Sequence, residues 1–289
     1  MKQIPISLRY ATLLFTLCFC SLLAAQKQKE LFILHTNDTH SRIEPIEKNS
    51  SLTEQADKGG YIRRATYIKE ARKEHKDLLL FDCGDFSQGS PYYNLFKGEV
   101  EIRLMNEMGY DAGTIGNHEF DFGLENMVRL FKMADFPIVC ANYDVKGTVL
   151  ENVVKPYTIL KRNGLKIGVF GLSPKLEGLV QQSNSKGVTY LEPNEVANQV
   201  AYLLKNEEKC DLVICLSHLG WQPGVNNPAC DKDLIAHTRN IDVVLGGHSH
   251  SYFEKPLFYK NLDGKDVPLQ QMGKSGLFVG QLKLTFHKE

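Results

Sequence analysis

Apolar residues come in short runs along this chain, at 31–34, 78–81, 112–115, 138–141, 166–170, 212–216 and 241–245. Each run is too short for a helix and long enough for a buried strand. Between several of them the apolar period changes to that of a helix. Residues 60–75 place Ile62, Ala65, Ile68 and Ala71 on one expected face, and 99–108, 124–133 and 194–205 read the same way, the last with Pro193 as a first-turn residue. Strand and helix alternating at this spacing predict an α/β architecture with a largely buried sheet. The tail differs: 253–286 holds short runs at 257–259, 267–271, 277–279 and 282–286 separated by Asp263-Gly264, Gly273 and Gly276. It is expected to be a β meander closing the domain.

Both ends of the strand–helix series carry information. Residues 1–25 open with Lys2 and Arg9, continue through an apolar core and finish on Ala24-Ala25, the layout of a secretory signal peptide. The apolar stretch is short of the roughly 20 residues of a membrane span. The expected product is therefore exported, periplasmic or at the cell surface, with residues 26–289 as one mature domain. A retained anchor is the alternative, and large residues before Cys18 and Cys20 disfavour a lipoprotein. Five cysteines lie beyond residue 25, an odd number that cannot all pair within one chain, and none has the paired spacing of a thiolate metal site. Without residues 1–25 the chain has 32 basic against 34 acidic side chains, a net charge of −2. Basic residues gather only on the 69–76 helix face, which argues against an extended nucleic-acid groove.

The chemistry sits just after the strand-like runs. Asp38-Thr39-His40 follows the first, Gly84-Asp85 the second, Gly116-Asn117-His118-Glu119 the third, His218 the sixth, and Gly246-Gly247-His248-Ser249-His250 the seventh. Open α/β sheets collect their functional groups beyond the carboxyl ends of strands. One such motif alone reads as a turn; five in order read as a site. Asp38, His40, Asp85, Asn117, His218, His248 and His250 are seven oxygen and nitrogen donors, a set suited to two divalent metal ions that assist hydroxide attack in line on a phosphate ester. Such donors suit Zn, Mn, Co or Fe without selecting among them. Asp85 stands alone between paired ligands and is the candidate bridge. His118 follows a ligand directly and is left for proton transfer, with Asp121 three residues on to orient it. Asp121 has a second reading as the N-cap of the following helix, Glu119 reads as a supporting acid, and Arg42 reads as an exposed turn residue. The other histidines, His35, His75, His237 and His287, are expected to be structural or solvated.

Together the stretches LFILHTNDTHSRI (31–43), GDFSQGSPYY (84–93), YDAGTIGNHEFD (110–121) and GGHSH (246–250) resemble the 5′-nucleotidase branch of the calcineurin-like metallophosphoesterases. The resemblance implies a four-layer α/β/β/α sandwich. It implies Asp38, His40, Asp85 and His250 around one metal, Asp85, Asn117, His218 and His248 around the other, and His118 with Asp121 as a catalytic dyad. It also implies hydrolysis of nucleoside 5′-monophosphates or related nucleotides. The alternatives are a broad phosphomonoesterase, a cyclic-nucleotide phosphodiesterase, a nucleotide-sugar pyrophosphatase, or a non-catalytic metal-binding subunit of a two-chain complex. Branch members usually carry base-sandwiching aromatics and phosphate-binding arginines in a further domain that these residues do not match. A separate polypeptide supplying that domain is the expected partner.

Overall fold

The computed structural model describes residues 29–51, 54–224 and 228–286; the expected signal segment and His287 lie outside them. In chain order the first half comprises β1 (Lys29–Thr36), α1 (Tyr61–Glu74), β2 (Leu79–Asp82), α2 (Pro91–Phe96), α3 (Glu99–Met108), β3 (Ala112–Gly113), α4 (Gly123–Phe131) and β4 (Tyr143–Asp144). The second comprises β5 (Tyr157–Arg162), β6 (Leu165–Leu172), β7 (Thr189–Tyr190), α5 (Pro193–Tyr202), β8 (Leu212–Ser217), α6 (Asp231–Ala236), β9 (Val243–Leu245), β10 (Leu257–Lys260), β11 (Asp266–Gln270) and β12 (Gly280–Phe286).

Two sheets follow. One has the order β12-β1-β2-β3 and the other β10-β11-β9-β8-β6-β5, with β4 and β7 forming a separate ribbon. The central pairs are parallel, while β12, β10 and β5 join antiparallel at the outer edges. Because strand side chains alternate between faces, the continuous apolar runs are divided between different cores. Leu31, Ile33, Leu79 and Phe81 meet Ile167, Val169, Ile214 and Leu216 between the sheets. Leu34 and Leu80, on the opposite face, pack under Ile68, Ile102, Met105 and Met127 of α1, α3 and α4. On the far side Phe170, Val213 and Cys215 pack under Ala197, Ala201, Leu234 and Ile235 of α5 and α6. Helices, sheet, sheet, helices: this is the expected four-layer α/β/β/α sandwich.

Three local expectations are corrected. The tail is not a meander: β10 and β11 extend the second sheet, β11 parallel to β9, whereas β12 crosses to pair with β1 in the first. Residues 277–279 are a loop. On α1 the buried positions are Tyr61, Arg64 and Ile68, and Ile62 is 80% exposed. At 3.6 residues per turn, Ile62 and Ile68 point about 120° apart, whereas Tyr61, seven residues before Ile68, shares its face. The run at 138–141 forms only single bridges, to Gly113 and Lys155. All five cysteines beyond residue 25, Cys83, Cys140, Cys210, Cys215 and Cys230, are buried and unbonded to one another.

Candidate metal centre

All five sequence motifs leave the carboxyl ends of parallel strands, three from β1, β2 and β3 and two from β8 and β9, so the site straddles both sheets. Backbone bonds stitch the loops together: Asp38 N–H donates to Gly84 O at 3.0 Å and His40 N–H to Asp85 O at 3.0 Å. The approach is close enough to require glycine. At Gly84 a Cβ would stand 2.7 Å from Gly116 N and 2.8 Å from His218 Nδ1, and the backbone there has φ +87°.

The expected ligands converge in overlapping sets. Asp38, His40 and His250 form one, Asp85, His218 and His248 another, and His40 and Asp85 also meet His118; within each set the donor atoms lie within 4.8 Å of one another. His218 Nε2 lies 3.0 Å from Asp85 Oδ2, and His250 Nε2 lies 3.3 Å from Asp38 Oδ1. His40 Nε2, His218 Nε2 and Asn117 Oδ1 are buried without a well-formed hydrogen bond, the two imidazole nitrogens facing only the Asp38 and Asp85 carboxylates. Buried polar atoms are normally paired, and inward-facing nitrogens and oxygens that crowd together without good hydrogen-bond geometry suit a cation between them. Asp38 and Asp85 demand positive charge in the same sense. Burial alone would lower the His218 pKa, yet these carboxylates outweigh it and raise the value to about 10. The donor set is mixed nitrogen and oxygen without thiolate, which fits borderline divalent metals.

Surrounding groups fix these donors. His218 Nδ1 bonds Cys83 O at 2.6 Å, which directs Nε2 into the site. His248 N–H donates to Asp38 Oδ2 at 2.9 Å, and His118 N–H to Asp85 Oδ1 at 2.9 Å. Five ligand candidates, Asp38, His40, Asp85, His248 and His250, sit at positive φ between 45° and 72°. Such non-glycine strain persists only where the surroundings impose it, and it gathers at functional sites.

His118 stands apart. Its Nδ1 is 3.1 Å from Asp121 Oδ2, and both side chains are partly exposed. Burial opposes protonation of His118, but the Asp121 hydrogen bond and the Asp85 charge outweigh it and raise its pKa. Asp121 does not cap the next helix: Phe122 holds the N-cap position of α4. Arg42 reaches Glu47 at 3.6 Å on the surface. Asn37 carries no signal in the sequence, yet it donates to Asp38 Oδ2 at 2.6 Å and accepts from Met272 N–H at 2.8 Å. Glu119, expected only as a supporting acid, is buried and accepts from Asp85 N–H at 3.0 Å, Gly116 N–H at 2.6 Å and Ser87 Oγ at 3.3 Å, gripping two ligand loops at once. Its place beside His118 was the available signal, without the partners.

Fold and donor geometry together define a metallophosphoesterase, and residues 32–252 match the calcineurin-like phosphoesterase family; the chain belongs to that family. Among its relatives is the snake venom 5′-nucleotidase of Gloydius brevicauda, 34% identical over 93% of this chain and 47% of that protein. Among solved structures, the 5′-nucleotidase precursor of Thermus thermophilus superposes with a TM-score of 0.80 at 32% identity, covering 90% of this chain and 52% of that one. The NAD nucleotidase of Haemophilus influenzae gives 0.79 at 30%, covering 90% and 54%. The chain thus spans about half the length of these relatives. Among the described residues no helix is long and apolar enough to cross a membrane.

Proposed function

We propose that this chain is a phosphoester hydrolase that holds two divalent metal ions and acts on nucleoside 5′-monophosphates. The observation that carries this reading is the pair of donor sets, Asp38-His40-His250 and Asp85-His218-His248, with the His118–Asp121 pair at their rim. The 5′-nucleotidase names of the relatives support the substrate class. Metal ions held here would supply Lewis acidity, opposing charge on the phosphoryl oxygens and acidifying water. Asp85 Oδ2 lies 3.5 Å from His40 Nε2 of one set and 3.0 Å from His218 Nε2 of the other, which suits it to serve both ions. Asn117 adds a neutral oxygen donor, which limits the negative charge facing an anionic substrate. Asp121 holds Nδ1 of His118, so Nε2 is free to give its proton to the leaving alcohol oxygen as the P–O bond breaks.

Export follows from residues 1–25, and a secreted product beginning at Gln26, read by mass spectrometry, is the expected result. The hydrolase reading is tested on the purified chain with Mn²⁺ or Zn²⁺ supplied, using adenosine 5′-monophosphate and simple phosphate esters, with metal content measured in parallel. About two metal ions per chain and release of phosphate are expected. Asp85→Asn should lose both metal and turnover, more severely than Asn117→Ala. Stoichiometric metal with no hydrolysis of any ester would leave a binding subunit instead. Normal metal content and turnover in Asp85→Asn would remove the shared-ligand role.

A further inference from the structure

A cavity of about 500 Å³ opens between the start of α1 and the loop that leads into β12, and none of the seven metal-donor candidates lines it. Its volume falls within the roughly 300–1,000 Å³ of small-molecule sites. One wall is Arg64, only 3% exposed, whose Nε, Nη1 and Nη2 are all buried without a hydrogen-bond partner. A guanidinium carries five N–H donors and stays charged at any physiological pH. Burying one unpaired is costly.

Neighbouring groups surround the guanidinium without serving it. Its Cζ lies 4.3 Å over the Tyr61 ring, which covers one face and leaves the in-plane N–H groups free. Asp82 directs its carboxylate to Thr36 Oγ1 at 2.6 Å and Gly84 N–H at 3.0 Å instead, and the buried Glu101 is not bonded to Arg64 either. Nη2 rests against Gly276, another residue of the lining, where a Cβ would overlap it. The rest of the lining has two characters. Lys58 and the start of α1, entered through Gly59 and Gly60, favour negative charge, and the acid there, Asp57, is already held by Arg63 at 3.0 Å. Leu277, Phe278 and Val279 add an apolar side.

We propose that this cavity binds a small organic anion, with its carboxylate or phosphate head on Arg64 and its apolar body against Leu277 and Val279. No hydrogen bond holds the guanidinium, so it is free to turn an edge toward the head group. The site goes beyond the hydrolase reading above and does not depend on it.

Calorimetric titration of the Mn²⁺-loaded chain at fixed ionic strength tests the site, with benzoate, its uncharged analogue benzamide and inorganic phosphate as probes. Benzoate should bind, and more tightly than benzamide. Arg64→Gln should weaken benzoate by roughly 10–100-fold, the scale of charge-assisted hydrogen bonds, and Lys58→Gln by less. Anions held by metal ions survive Arg64→Gln, which tells the two places apart. Phosphate, without an apolar body, should bind more weakly than benzoate in the Arg64-dependent part. Denaturant unfolding gives a second reading. Without anion, Arg64→Met should be more stable than the wild type, because it removes an unpaired buried charge, and benzoate should stabilise the wild type alone. The site is overturned if benzoate does not bind, if benzamide binds as tightly, if phosphate matches benzoate at Arg64, if Arg64→Gln or Lys58→Gln leaves benzoate unaffected, or if Arg64→Met is the less stable protein. Lys58→Gln changes an exposed side chain and keeps the test decisive where an Arg64 variant does not fold.

Discussion

His118 is where ligand and proton-donor roles can be separated. It shares a donor set with His40 and Asp85, yet its Nδ1 is engaged by Asp121. His118→Ala should therefore keep its full metal content by elemental analysis while kcat falls by roughly 10²–10⁴, the range for general acid–base help. Asp121→Asn should fall less. Metal lost from His118→Ala would make it a ligand. The ligand candidates were legible in the sequence because oxygen and nitrogen donors stand immediately after apolar runs, a pattern that burial alone does not produce. Asn37 was not legible, although it lies beside Asp38: its second partner, Met272, is 235 positions away, and no local pattern records that.

Among the connecting loops, Glu119 does the joining. Its carboxylate receives N–H groups from both the β2 and β3 loops, and a glutamine would turn an NH₂ toward some of those donors. Glu119→Gln is expected to lower unfolding free energy by about 1–3 kcal/mol, the cost of leaving buried polar groups unsatisfied. Metal affinity should weaken by roughly 10–100-fold, as for other groups that orient ligands. Denaturant unfolding and a metal titration check the two halves, and an unchanged affinity would refute the bracing role. At this scale the strands of the parallel core were readable, because burial on both faces writes a continuous apolar run. The half-buried edge strand β5 was not, with no run to mark it. Nor was the destination of β12: a short alternating strand carries its pattern but not the sheet it joins, and that choice is made by the edge left open beside β1.

Across the whole molecule, the two sheets share a polar tie within their apolar interface. His35 of β1 meets Gln270 of β11, Nε2 to Oε1 at 3.2 Å, with the imidazole fully buried. Burial lowers its pKa from 6.5 to about 4, partly offset by the Gln270 bond. Between those values the unfolded chain binds a proton that the folded chain refuses. This contribution is complete above pH 6.5 and is lost as pH falls toward 4. Going from pH 7 to 4.5 should cost about 2–3 kcal/mol through this one group. Unfolding of the wild type and of His35→Gln in EDTA at both pH values checks it: the variant should lose less stability on acidification, and parallel losses would exclude His35 as the source.

The pairing of β12 with β1 sets a timetable for assembly. Lys29 lies opposite Phe286 and His35 opposite Gly280, so β1 leaves the ribosome long before the strand that covers its edge. Until residue 286 emerges, one edge of β1 offers bare N–H and C=O groups to any neighbouring chain. Such long-range closure is slow, and it leaves nascent chains open to mispairing. A polypeptide stopped at residue 279 should keep β2 beside β1 but carry that edge permanently. It should associate with rising concentration in size-exclusion chromatography more strongly than the chain that retains residues 280–286, and equal behaviour of the two would refute the exposed-edge account.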